Sequence, residues 1–340
     1  MISLKESKFS KVILWLSCNE KGVRMKKDNL GYILISSVAA YLDTIQKIAQ
    51  SNDQDLFYRG QTQLGDDKGK EFIEWKPSPS IFRNERLSRE NQFYSYVMTE
   101  CANEFTACLN HCETLSKMQH YGVPTRLLDI TSNALAALFF ACVNEDGTDS
   151  RKDGVVYIIG SDKNHIKEYD SDTITILSSL PRFTLAAQTV IKQNAHDALC
   201  SASSIDAIAD FNKNDNEQVQ RLLHEIKKET PAFEPKINPA HLLDNFIFTP
   251  QKTHPRIIKQ SGAFILFGLE DQSIPDNNNK ESVPATEVES PNIQYKIKIP
   301  KEYKPKITKT LDQCGISLAT MYPELYKVAE YLRNRKLFKK

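Results

Sequence analysis

The sequence lacks an excess of charge of either sign. Its 44 lysine and arginine side chains nearly balance its 43 aspartate and glutamate side chains, and the formal net charge is +1. This balance gives no overall field that would attract nucleic acid or acidic lipid, although a local basic groove stays possible. With 40% hydrophobic and 26% charged residues over 340 positions, the composition is typical of a soluble globular protein with a sizeable core.

Long hydrophobic runs are also missing. The apolar run at residues 12–16 is much shorter than the roughly 20 residues that span a bilayer, and no small-residue cleavage site follows it cleanly. The sequence therefore predicts no membrane partner and no secretory segment. The seven cysteines have no framework spacing and several lie in apolar helical contexts, which favours reduced thiols and a cytoplasmic location.

Several common motifs for catalysis and metal binding are absent. There is no Walker-type Gly-Lys-Ser/Thr, no G-x-S-x-G and no H-E-x-x-H, which excludes the commonest nucleotidase, hydrolase and metalloprotease classes. Cys108, His111 and Cys112 share one helical stretch, but no second ligand pair with metal spacing follows them, so we predict no metal site. No internal repeat is present, which excludes a solenoid.

What the sequence does contain is a dense motif at residues 117–143, KMQHYGVPTRLLDITSNALAALFFACV. It predicts a tight turn at residues 121–124, a short run at residues 126–130 and then a helix that Thr131 or Ser132 can cap. The helix is apolar on every side. Because a helix with no polar face must be surrounded by protein, we expect it in the middle of the fold.

Polar side chains crowd the approach to this helix, and two interpretations of them stay open. In the first, the charged groups satisfy one another or nearby backbone, because a buried ion without a partner is strongly unfavourable. In the second, the polar groups line a pocket, with backbone amides of the helix start directed at a ligand anion. These side chains are Gln119, His120, Tyr121, Thr125, Arg126, Asp129 and Thr131.

The rest of the chain alternates short strands with helices. Ser36 or Ser37 can cap a first helix. Residues 56–58 predict a buried strand that ends at Arg59, where Gly60 lets the chain turn or lets a ligand come close. The predicted fold class is α+β, with a small mixed, mostly antiparallel central sheet flanked by helices. Further predicted elements are a surface loop at 62–78, a long helix at 88–115, strands at 155–159, 246–248 and 263–267, a helical insert at 184–230 and an edge strand at 293–299.

Three pieces of the sequence together resemble a known family. FYRGQ at residues 57–61, QHYGVPTRLLDIT at 119–131 and ALAALFFA at 134–141 are similar to the FRG domain, which is named for its (F/Y)-R-G motif. Pieces near Arg256 and beyond extend the resemblance over most of the chain. It implies an N-terminal extension at 1–34, an FRG domain at 35–335 that contains the insert at about 184–230, and a basic tail at 336–340.

More distantly, the order of strands and motifs resembles the ADP-ribosyltransferases, which cleave the bond between nicotinamide and ribose in NAD. This resemblance implies NAD as a substrate, no metal, and transfer of ADP-ribose to a protein or nucleic-acid acceptor or simple NAD cleavage, in phage defence or as a toxin. Because the transition state is a cation-like sugar, the site needs an anchor for pyrophosphate and ribose, a clamp on nicotinamide and a group that stabilises the sugar.

The resemblance assigns these roles to named side chains. Arg59 would anchor phosphate or ribose oxygens, Tyr121 would stack on nicotinamide, and Thr131 takes the central hydroxyl position. Gln260 lies where those enzymes carry a glutamate; glutamine supplies no negative charge, so either Asp129 takes the acidic role or transfer is impaired. The expected catalytic residues are Arg59, Asp129, Thr131 and Gln260, and the expected NAD-binding residues are Arg59, Gly60, Gln61, His120, Tyr121 and Arg126.

Two other function classes stay open. A non-catalytic module could recognise a nucleotide or nucleic acid, with Arg59, Arg83, Arg126 and Arg256 converging on phosphates. A scaffold that binds a protein partner is the third class.

The enzyme interpretation depends on one spatial condition. Arg59 and the polar turn at residues 119–131 must share a cavity large enough for a dinucleotide. In a purely structural alternative, Arg59 pairs with Asp129 in a buried ion pair that only stabilises the fold.

Overall fold

The computed structural model describes residues 27–28, 30–68, 71–144, 147, 151–201, 204–213, 215–252, 254–270 and 292–334. The expected N-terminal extension is therefore described from Lys27 onward, and the expected basic tail at 336–340 lies outside the described residues. Within these ranges, none of the helices is both long enough and apolar enough to cross a bilayer.

Strands and helices alternate along the described chain. Ser37 begins the first helix, as predicted, because its hydroxyl accepts the Ala40 amide at 3.2 Å. The strands are β1 (Ile33–Leu34), β2 (Asp55–Gln61), β3 (Gly65–Lys68), β4 (Glu71–Glu74), β5 (Leu127–Thr131), β6 (Gly154–Ser161), β7 (Ile166–Lys167), β8 (Phe246–Phe248), β9 (Gly262–Leu266) and β10 (Ile293–Ile299). The helices are α1 (Val38–Gln50), α2 (Glu90–Glu100), α3 (His111–His120), α4 (Ala134–Cys142), α5 (Asp172–Ser179), α6 (Leu185–Ser201), α7 (Ser204–Asn212), α8 (Glu217–Glu229), α9 (Pro239–Leu243), α10 (Pro255–Gln260), α11 (Lys304–Gln313), α12 (Leu318–Met321) and α13 (Leu325–Asn334).

The chain forms two compact units, each built from separate stretches of sequence. The first contains the described parts of Met1–Trp75, Ala134–Ile159 and Ile293–Lys340, and the second contains those of Lys76–Asn133 and Gly160–Asn292. Each unit combines mixed sheet with helices, so the predicted α+β class with a mixed sheet is confirmed.

In the first unit the strand order is β1-β10-β6-β2. Strand β10 pairs in parallel with β1 and antiparallel with β6, so the prediction of an edge strand at residues 293–299 was wrong. The polar positions of this strand include two lysines with acidic partners. Lys296 lies 2.6 Å from Glu74, and Lys298 lies 2.9 Å from Asp153.

Helix α4 belongs to the core of the first unit, as its all-apolar sequence predicts, and most of its side chains are buried. It packs against β2 at Gly60. A Cβ atom added to Gly60 would lie 2.0 Å from the carbonyl oxygen of Ala137 and 2.8 Å from the amide nitrogen of Ala141. The strand continues through this contact to Gln61, so the prediction that it ends at Arg59 was wrong. Gly60 serves the approach of the helix and does not turn the chain.

In the second unit the strand order is β5-β9-β8-β7. Strand β9 pairs antiparallel with both β5 and β8, and β7 pairs in parallel with β8. The register places Asp129 opposite Phe264 and Thr131 opposite Gly262. Residues 184–230 are helical in α6, α7 and α8, as the sequence predicts.

Two predicted elements differ from the structure. The single helix expected at 88–115 is wrong: α2 ends at Glu100, and α3 starts anew because Asn110 accepts the Glu113 amide at 2.8 Å. The surface loop expected at 62–78 contains an antiparallel hairpin of β3 and β4. Neither feature shows in a hydrophobic period, because the Asn110 cap is a single hydrogen bond and the first hairpin strand, Gly65–Lys68, has no apolar side chain.

A buried polar cluster joins three helices of the second unit. Nδ1 of His111 lies 2.6 Å from the Tyr94 hydroxyl and 3.3 Å from Oε1 of Glu229, while its Nε2 lies 3.6 Å from Oε1 of Glu225. Burial lowers the pKa of His111 to about 4 and raises the pKa of Glu229 to about 7. The pKa of the His111 imidazole and the pKa of the Glu229 carboxyl are therefore shifted in opposite directions.

Replacing Glu229 by glutamine is expected to change how stability depends on pH. In the native protein, the raised carboxyl pKa lowers the free energy of unfolding as pH rises from 4.5 to about 7, and the lowered imidazole pKa raises it from about 4 to 6.5. The two contributions cancel over most of that range. In E229Q only the imidazole contribution remains, so stability rises with pH by at most about 1.4 kcal/mol per unit.

Urea unfolding between pH 4 and pH 8 measures this difference, since the interval covers both shifted pKa values. Glu217 is an exposed glutamate in the first turn of α8, the helix that carries Glu229, so E217Q is the matched control. We expect E217Q to keep the native dependence of stability on pH. Parallel pH profiles for E229Q and the native protein would contradict the prediction.

Candidate functional site

The candidate site lies in the second unit, where the C-terminal end of α3 meets β5. Helix α3 ends at His120, and the chain reverses through Gly122, whose φ of +79° is a conformation that favours glycine. The amide of Gly122 donates to the Gln119 carbonyl and the amide of Val123 to the Met118 carbonyl, both at 3.0 Å. This turn joins α3 to β5, the two elements that hold most of the predicted polar residues.

Strand β5 presents one carboxylate from an otherwise buried strand. Leu127, Leu128, Ile130 and Thr131 are all buried, and Asp129 is exposed. Side chains alternate along a strand, so Asp129 shares its face with Thr131. An exposed charged group between buried positions is unusual for packing alone and marks a candidate functional group.

Hydrogen bonds tie Asp129 to the end of α3. The side-chain amide of Gln119 donates to Oδ2 of Asp129 at 2.6 Å, and the Thr125 hydroxyl donates to Oε1 of Gln119 at 2.7 Å. The structure therefore brings three residues of the predicted polar set into one network. Arg126, which could satisfy Asp129 in the first interpretation of the polar set, pairs with Glu90 instead.

The Thr131 side chain is hydrogen-bonded to the backbone at the junction between α10 and β9. Its hydroxyl donates to the backbone carbonyl of Gln260 at 2.5 Å and accepts the amide of Asn133 at 2.9 Å. The two expected catalytic residues Thr131 and Gln260 are thus in contact. The contact uses the Gln260 backbone, which lies directly before the turn at Ser261, where φ is +47°.

The other end of α10 brings a histidine that the sequence analysis missed. The rings of His120 and His254 lie 3.9 Å apart between centroids, and the His120 ring meets the Tyr121 ring edge-on at 5.0 Å. Nδ1 of His254 accepts the Arg256 amide at 3.2 Å, which places the proton of the neutral ring on Nε2. The sequence signal was a His-Pro pair directly before a helix.

Arg126 has a different place from the one predicted. Its guanidinium is 0% exposed and pairs with Glu90; it also donates to the Phe267 carbonyl at 3.2 Å and to Oε1 of Gln188 at 3.0 Å. A ligand cannot reach a fully enclosed guanidinium without opening the core. The assignment of Arg126 to NAD binding is therefore corrected: its partner is an internal carboxylate.

The remaining predicted residues lie in the first unit, on β2. Leu56, Tyr58 and Gly60 face α4, so Arg59 and Gln61 lie half-buried on the opposite face of the strand. Gly60 was expected to bind NAD, but the backbone of α4 occupies the space beside it.

The charge of Arg59 also acts on a side chain of the neighbouring strand β6. Burial raises the pKa of Tyr157 on β6, Glu74 raises it further, and the Arg59 charge opposes the shift. The roles of Arg59 and Gln61 as ligand anchors stay predictions, as does the shared cavity with the turn at residues 119–131.

Comparison with known proteins identifies one family. Residues 54–150 match the family model of the FRG domain, which includes β2, the end of α3, β5 and α4. The resemblance read from the sequence is confirmed over this stretch. No curated protein and no solved structure is significantly similar to the chain.

Proposed function

We propose that the polar end of α3 and β5, which lies in the FRG domain matched at residues 54–150, binds NAD and cleaves its nicotinamide-ribose bond, as the more distant resemblance to the ADP-ribosyltransferases implies. In this reaction the bond between ribose C1′ and the nicotinamide nitrogen breaks, and its electron pair leaves with nicotinamide. Water or an acceptor hydroxyl then attacks C1′ and loses a proton. The protein would act as an ADP-ribosyltransferase-like enzyme of cytoplasmic location.

A single observation carries the proposal: Asp129 is an exposed carboxylate on an otherwise buried strand, and a hydrogen bond from the Gln119 side-chain amide orients it. The sugar in the transition state is cation-like, and a carboxylate that is already oriented stabilises it without reorganising. Asp129 thus supplies the negative charge that the side chain of Gln260 cannot.

Neighbouring groups fit the other needs of this chemistry. Tyr121 is 63% exposed, which leaves its ring face accessible for stacking on nicotinamide. Thr131 holds the α10 junction through the Gln260 carbonyl and so supports the loop that carries Gln260.

Replacing Asp129 by asparagine is expected to lower NAD consumption by at least about 100-fold, because it removes the charge and keeps the shape. The measurement is release of nicotinamide and transfer of labelled ADP-ribose, with protein, DNA and RNA acceptors supplied. Asp210 is an exposed carboxylate on α7 of the same unit, so D210N serves as the matched control with native activity.

Two outcomes of this experiment would count against the enzyme. Equal activity of D129N and the native protein would remove Asp129 from the chemistry. A native protein that neither consumes nor binds NAD with all acceptors present would end the proposal.

A second candidate function is a non-catalytic nucleotide-binding module. It is favoured by one observation: the Thr131 hydroxyl is hydrogen-bonded to the backbone carbonyl of Gln260, and position 260 carries a glutamine and not a glutamate. In this case the native protein binds NAD or another phosphate-bearing nucleotide and releases no nicotinamide.

A further inference from the structure

Three side chains of the central motif form a directed chain of hydrogen bonds. The amide of Leu127 donates to the Thr125 hydroxyl at 3.2 Å, this hydroxyl donates to Oε1 of Gln119 at 2.7 Å, and the Gln119 amide donates to Oδ2 of Asp129 at 2.6 Å. The chain starts from a backbone N–H group, which can only donate. The direction of the first hydrogen bond is therefore fixed, and in the second bond the Thr125 hydroxyl hydrogen points at Gln119.

The start of this chain is rigid. Thr125 is 1% exposed, its amide donates to the Ser80 hydroxyl at 3.2 Å, and its carbonyl accepts the Ile81 amide at 3.2 Å. With its backbone held on both sides, the threonine hydroxyl has one lone pair used by Leu127 and directs its hydrogen towards Gln119.

The direction of the chain decides which end of the Gln119 amide faces Asp129. Its oxygen accepts from Thr125, so its NH₂ group must face the carboxylate. The reverse orientation would place the Gln119 amide oxygen against the Asp129 carboxylate, which sets two acceptors against each other. Oδ2 of Asp129 is therefore the acceptor of the Gln119 amide.

We propose that Gln119 and Thr125 are positioning residues that hold Asp129 as an oriented hydrogen-bond acceptor in the site. The importance of this role for catalysis rests on the proposed function, whereas the hydrogen-bond relay itself does not. The relay also explains why glutamine, threonine and aspartate occur at intervals of six and four residues in this motif: a helix end, a turn and a strand bring the three side chains together.

The test compares two substitutions at Thr125. Thr125→Ser keeps the hydroxyl, whereas Thr125→Val keeps the shape and removes it. The readout is the nitrogen-15 NMR signal of the Gln119 side-chain amide, identified by its absence in Q119E. In T125V we expect the signal to shift and its hydrogens to exchange with solvent at least about 10-fold faster, because the amide can rotate; T125S keeps the native signal.

Enzyme kinetics provide the second readout. T125V and Q119E are expected to lower kcat for NAD cleavage by about 10-fold to 100-fold with little change in KM, because they misdirect a group that acts in the transition state. T125S restores native kcat. A tether that served stability alone would lower the unfolding temperature and leave kcat of the folded variant unchanged.

The outcomes separate this inference from the proposed function. An unchanged Gln119 signal in T125V overturns the relay, and a changed signal with native kcat overturns the positioning role. A relay that responds as expected in a protein without NAD cleavage leaves the relay standing and refutes the proposed function. Q119E replaces a half-buried side chain of equal size, so it tests the same role if T125V does not fold.

Discussion

Replacing Arg126 by methionine is expected to lower the free energy of unfolding by about 3–5 kcal/mol, since it breaks a buried ion pair by removing one partner. Arg126 is 0% exposed and Glu90 is 3% exposed. Nε of the arginine lies 3.0 Å from Oε1 of Glu90, and Gln188 donates to the same carboxylate at 3.0 Å. Without the guanidinium, Glu90 keeps one amide donor and an uncompensated buried charge.

Urea unfolding of the full chain measures this loss, and a double variant is its sharpest control. R126M/E90L removes both charges and fills the space with apolar atoms, so it is expected to recover most of the stability lost in R126M. If the double variant is as unstable as R126M, the loss comes from packing and the buried charge is not its cause. A loss below about 1 kcal/mol in R126M would contradict the enclosed pair.

The same network marks a limit of prediction from sequence. A charge at position 126 needs a partner, and the sequence places candidate groups close to it in the chain. The partners found in the structure are Glu90, 36 positions earlier, and Gln188, 62 positions later. A hydrophobic period indicates which face of an element is buried, but it carries no information about which distant polar group shares that core.

Local features were predicted better because their causes are local. The buried helix α4 follows from an unbroken apolar composition, and the start of α1 follows from one serine. The break between α2 and α3 was missed because the apolar spacing continues across it, whereas the Asn110 cap acts through a single hydrogen bond. The hydrophobic period predicts one continuous helix, whereas in the structure α2 ends at Glu100 and the Asn110 cap begins α3.

The candidate site likewise contains residues that were predicted from local sequence and one that was not. Gln119, His120, Tyr121 and Asp129 come together because one helix, one turn and one strand follow each other directly in the chain. His254 was missed because α10 delivers it from a distant part of the sequence, and only the fold places its ring on that of His120.

Replacing Gly60 by alanine is expected to destabilise the first unit by more than about 3 kcal/mol, as a severe case of overpacking. The added Cβ would lie 2.0 Å from the Ala137 carbonyl oxygen and 2.8 Å from the Ala141 amide nitrogen. Both atoms belong to the backbone of α4, so no side-chain rotation relieves the clash. The helix would have to move away from β2, which opens a core that includes Tyr58 and Leu138.

Gly262 provides the matched control for this substitution. The nearest atom to a Cβ at Gly262 would be 3.7 Å away, an ordinary contact, so we expect G262A to change the free energy of unfolding by less than about 1 kcal/mol. A137G does not rescue G60A, because the clashing oxygen stays in place. The comparison also tests the earlier expectation that Gly60 leaves room for a ligand: in that case G60A would keep native stability and lose only NAD binding. Loss of stability without a ligand present assigns the glycine to the contact between strand and helix.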